Sequence, residues 1–81
     1  MHEFSLAQGL HGQLLDLLRQ HQATKILSAE IAVGDGAGVV VDSFLFGFNI
    51  LAEEDPATHG LELKVSHNSG GDLILMRVEL I

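Results

Sequence analysis

The sequence predicts an α+β domain in which two helices pack on one face of a small three-stranded mixed sheet, in the order α-β-α-β-β. Two observations predict this. Apolar residues recur every three or four positions in two segments, the spacing of a buried helix stripe. They alternate with polar residues in three others, the spacing of strands with one buried face.

The first helix is expected over residues 5–21. Leu6, Leu10, Leu14, Leu17 and Leu18 form its stripe, while Gln8, Gln13, Asp16, Arg19 and Gln20 fall off it. Gly9 and Gly12 each cost roughly 1 kcal/mol relative to Ala inside a helix. The first strand is expected over residues 24–33, with Leu27, Ala29, Ile31 and Val33 facing inward. The run Gly34-Asp35-Gly36-Ala37-Gly38 ends it as a turn. This run lacks the lysine of a phosphate loop and the spacing of a dinucleotide fingerprint.

The second helix is expected over residues 41–54, capped by Asp42 or Ser43 and stopped by Pro56. Phe44, Phe48, Leu51 and Ala52 make its core stripe. Phe46 and Ile50 extend its apolar surface beyond what one sheet face needs. The second strand covers residues 61–65, with Leu61, Leu63 and Val65 on one face. A polar turn over residues 66–72 leads to a third strand over residues 73–81, in which Ile74, Met76, Val78 and Leu80 share a face. The last two strands are expected to pair as an antiparallel hairpin.

The length of 81 residues suits one domain. A net charge of −7, from four basic and eleven acidic residues, argues against binding nucleic acid or an anionic membrane. No long apolar run or basic leader is present, so the expected compartment is the cytoplasm. The absence of cysteine excludes disulfides, thiol nucleophiles and thiolate metal sites within this sequence. No nucleophile–base pair or acid pair is evident, and no enzymatic activity is expected.

The start of the chain carries the most specific chemistry. In Met1-His2-Glu3, the α-amine of Met1, the backbone nitrogen of His2 and its imidazole can close one five-membered and one six-membered chelate ring. Nickel(II) and copper(II) favour such planar nitrogen sets. Glu3 adds a backbone nitrogen or a carboxylate oxygen. His2 is bulky, so Met1 is expected to be retained. The competing reading is a solvated N-terminus in which Glu3 serves only the helix dipole. His11, His21, His59 and His67 are expected to be solvated, and Glu53, Glu54 and Asp55 to form a solvated helix end.

The opening 1–7, Met-His-Glu-Phe-Ser-Leu-Ala, resembles that of the HypA/HybF hydrogenase nickel-incorporation family. So do Ile31-Ala32-Val33-Gly34-Asp35, Gly38-Val39, the stretch from Phe44 to Phe48, and the ending from Gly71 to Glu79. The resemblance implies a metallochaperone that carries Ni(II) at Met1, His2 and Glu3 for hydrogenase, or urease, maturation. It implies a HypB-type GTPase and a hydrogenase precursor as partners. Family members carry a zinc domain with two Cys-x-x-Cys pairs between their last two strands. Here that place holds only the turn over residues 66–72, so residues 1–81 read as a single nickel-binding domain with no zinc expected. Asp42 stands near the position of an acidic side chain found beside nickel in some members, and His67 sits where the zinc domain would be; both are minor candidate ligands. The alternative is a non-metal interaction module, a paralogue that keeps the docking surface. A homodimer formed by exchanging the last strand is also compatible.

Overall fold

A computed structural model describes residues 2–81. Helix α1 runs His2–Gln20, strand β1 Ile26–Gly34, helix α2 Val41–Glu53, strand β2 Glu62–Asn68 and strand β3 Leu73–Leu80, with a 3-10 turn at Asp35–Ala37. The order α-β-α-β-β and the mixed three-stranded sheet are as the patterning predicts. Helix α1 begins three residues earlier than its apolar stripe implies. It ends in a Schellman motif: Gln22 adopts φ 54°, its N–H donates to the Arg19 carbonyl at 3.1 Å, and that of Ala23 donates to Leu18 at 2.9 Å.

The expected hairpin does not form. The strand order is β2-β1-β3, with β1 parallel to β2 and antiparallel to β3. The centre of a sheet goes to the strand that tolerates burial on both faces. In β1, Ile26, Ala29, Ile31 and Val33 are buried, and Ser28 and Ala32 on the other face are nearly so. β2 and β3 alternate half-buried and exposed residues, which suits edges.

Two glycine pairs let the chain cross the end of β1 to reach its free edge. The N–H of Gly34 donates to Asp72 O at 2.8 Å, and that of Gly36 to Gly70 O at 2.9 Å. A Cβ on Gly34 would lie 2.2 Å from the Gly70 oxygen, so the clasp requires glycine there. Gly9 and Gly12, in contrast, have nothing within 4 Å of a notional Cβ; close packing does not explain them.

One apolar core joins Ala7, Leu10 and Leu14 of α1, the inward residues of β1, and Phe44, Phe48 and Ala52 of α2. Truncating Phe44 or Phe48 to Ala would cost about 3–5 kcal/mol. Two register shifts against β3 correct the expected faces. The shift between Ile26 and Ser28 leaves Leu27 43% exposed. The second falls opposite Met76, so the core face of β3 is Leu73, Leu75, Val78 and Leu80, with Ile74 and Met76 exposed.

His11 is also corrected. It is half-buried, edge-on to Phe48 and 3.0 Å from Thr58 Oγ1. Thr58 is fully buried and donates its hydroxyl proton to Ala52 O at 3.0 Å, so the His11 Nε2–H must be the donor to Thr58. The pair ties α1 to the turn after α2. His21, His59 and His67 are exposed, as expected.

Candidate metal site at the N-terminal corner

The first turn of α1 is held against the start of α2 by two side chains. Helix α2 has Val40 as its N-cap residue, and no side chain of its own caps it. The expected capping by Asp42 or Ser43 is therefore replaced. Glu3, from α1, accepts a hydrogen bond from the Val40 N–H at 3.2 Å. An anionic oxygen at this end of α2 also meets the positive end of the helix dipole. One residue on, the Phe4 ring fills the notch left by Gly47, where a Cβ would stand 2.8 Å from Phe4 Cδ1 and 3.8 Å from Ala7 Cβ. Sequence reasoning missed this notch, although a glycine between Phe46 and Phe48 in a helix signals a close approach.

Two consequences fall on Glu3 and His2. The Val40 N–H, and after it Glu3's own N–H and the adjacent His2, hold the Glu3 carboxyl below its ordinary range, outweighing the opposing effect of burial. The His2 imidazole is largely exposed, with Nδ1 3.6 Å from Glu3 Oε2. Nδ1 is the ring nitrogen that closes a six-membered chelate with the His2 backbone nitrogen. At a helix N-terminus the first N–H groups lack intrahelical acceptors, so a metal engaging the His2 nitrogen breaks no helix bond.

His2 and Glu3 are thus brought together, and Met1 lies outside the described residues. Asp42 is exposed in the first turn of α2. His67 is exposed near the end of β2, opposite Val33. Neither joins them: among the described residues no three His, Asp or Glu side chains are grouped to hold a metal ion. Two other histidines make side-chain contacts away from this corner. His59 Nδ1 lies 3.1 Å from Glu53 Oε2 on the surface. The Thr58 hydroxyl beside His11 is buried and already donates to a carbonyl. No described helix is long and apolar enough to cross a membrane.

Residues 1–71 match a family model described as hydrogenase/urease nickel incorporation, metallochaperone, HypA. The hydrogenase maturation factor HypA of Alkalilimnicola ehrlichii is 30% identical over 70 residues, covering 86% of this chain and 61% of that protein. HypA of an Azoarcus species is 32% identical over 57 residues, covering 70% of this chain and 50% of that protein. The chain therefore spans about half to three-fifths of these relatives. The solution structure of the Ni metallochaperone HypA from Helicobacter pylori superposes with a TM-score of 0.76 at 14% identity, over 98% of this chain and 92% of that one. The sequence match stops before β3, while the structural match extends into it.

Proposed function

Because this chain belongs to the HypA family of nickel-incorporation metallochaperones, we propose that it carries Ni(II) at Met1, His2 and Glu3 and delivers it during hydrogenase, or urease, maturation in the cytoplasm. Nickel is cargo here, and the chain performs no catalysis. Its partners are a HypB-type GTPase and a hydrogenase precursor. Residues 1–81 act as one nickel-binding unit without zinc.

The observation that carries this reading is the Glu3 carboxylate, poised between the Val40 N–H and the His2 imidazole. It fixes the first turn of α1 and stands beside the His2 ring; in this reading the ion is met by the Met1 amine, the His2 backbone nitrogen and His2 Nδ1. Glu3 can contribute its second oxygen, or act from behind the ligands as a hydrogen-bond partner, in the way outer groups tune metal sites. Binding must displace the His2 amide proton, so affinity rises with pH and protons are released. The positive end of the α1 dipole favours the amide anion that results.

The test is a Ni(II) titration of the protein with a free N-terminus, beside His2→Ala, followed by calorimetry and visible absorbance. One equivalent bound by the parent and none by the variant is expected. An N-terminal tag, which turns the amine into an amide, should suppress binding. Failure of the parent to bind would leave the second reading, a protein-interaction module. That reading is favoured by Phe46, 71% exposed, and Ile50, 44% exposed, one turn apart on α2.

A further inference from the structure

Gly47 sits, buried, at the centre of the thirteen-residue α2. Glycine is disfavoured in a helix interior relative to alanine. No positive φ calls for it here. What calls for it is space, because a Cβ would stand 2.8 Å from Phe4 Cδ1. The ring that the notch admits belongs to the same turn as His2 and Glu3. Phe4 is half-buried and stands outside the core cluster that Phe44 and Phe48 fill. Its seat is local, and the depth of that seat sets how near the first turn of α1 comes to α2.

The nearness matters to Glu3. The bond it accepts from the Val40 N–H, at 3.2 Å, is already at the long end of the usual range. A Cβ at position 47 would push the ring back by about 0.7 Å to reach ordinary carbon contact. A first turn that retreats as far carries Glu3 out of reach of Val40. His2 Nδ1 then loses the anchored carboxylate that stands 3.6 Å away. We infer that Gly47 is a positioning residue for the nickel site: it touches no ligand, and through Phe4 it sets the placement of Glu3 and His2. The inference rests on the reading of Met1, His2 and Glu3 as that site, and makes its affinity depend on the middle of another helix.

Two readouts keep the inference and the nickel reading apart. In metal-free protein, hydrogen exchange of the Val40 amide reports the cap. Calorimetric titration with Ni(II) reports the site. The full chain with a free N-terminus is compared with Gly47→Ala, Phe4→Ala and the double variant, each checked for folding by circular dichroism. Phe4→Ala introduces no clash, so it tests the contact even where Gly47→Ala folds poorly. Each single variant should speed exchange at Val40 and raise the nickel dissociation constant about tenfold, the lower end of the range for groups acting behind the ligands. The double variant should bind no more weakly than the weaker single variant, because both act through one contact. Parent affinity kept by the folded single variants overturns the inference, as does a loss of affinity with Val40 exchange unchanged. A double variant in which the two losses multiply overturns it too. A parent that binds no nickel overturns the nickel reading, and this inference with it.

Discussion

The N-terminal corner and the glycine clasp at the β2–β3 turn hold the two histidines considered as ligands, and they are built in opposite ways. At the corner, side chains do the fastening: Glu3 on the Val40 N–H and Phe4 in the Gly47 notch. The result orients His2 beside a carboxylate. At the clasp, backbone fastens to backbone, through Gly34 with Asp72 and Gly36 with Gly70. His67 stands nearby, exposed, with no described side-chain partner. A region fastened by side chains can present chemistry, because the fastening groups are themselves polar and oriented. A region fastened by main chain needs small residues and presents little else.

Substitutions separate the two regions, and the largest effect belongs to the corner. His2→Ala should abolish stoichiometric nickel binding, read by calorimetry, with the melting temperature of the apo protein little changed. If nickel still binds, the corner is not the site. Gly34→Ala comes next: its Cβ meets backbone, so the strand end must shift, at about 3 kcal/mol by the usual cost of overpacking. Chemical denaturation measures this, and the folded fraction should still bind nickel.

Glu3→Gln should weaken nickel binding about 10–100-fold, the range for outer groups at metal sites. It also has a pH signature. Because the folded carboxyl is held below its ordinary range, its contribution to stability is full above the unfolded value and is lost as pH falls through the lower, folded one. Thermal melts in acid should therefore fall more steeply for the parent than for Glu3→Gln. Parallel acid profiles would sink the capping role. The smallest effect is His67→Ala, expected to leave nickel binding intact and stability within about 0.5 kcal/mol. A large loss there would move the site to the turn.

Much of the fold was legible because its signals are local. Period-3.6 leucines in α1, Phe44 and Phe48 in α2 and three alternating segments specify element type with no knowledge of partners. The errors in strand faces share one cause. A pattern of period two assigns faces correctly only until a bulge inserts a residue; Leu27 and Met76 sit at the register shifts and ended exposed. His2 and Glu3 stand out as candidate donors from type and order alone. Val40 was not legible as the partner of Glu3, since a backbone N–H has no sequence signature. The pairing of His11 with Thr58 spans 47 residues and left no mark in either neighbourhood.

By itself, then, the sequence determined the helices, the strands, the acidic cysteine-free character and a chelating order of atoms at Met1-His2-Glu3. Those properties depend on neighbours within a few residues. Tertiary structure alone decided that β1 lies at the centre, that β3 joins β1 rather than β2, and that Glu3 caps a helix 37 residues away. Each of these is a choice among partners of similar local quality. It is settled by which arrangement buries both faces of the most apolar strand.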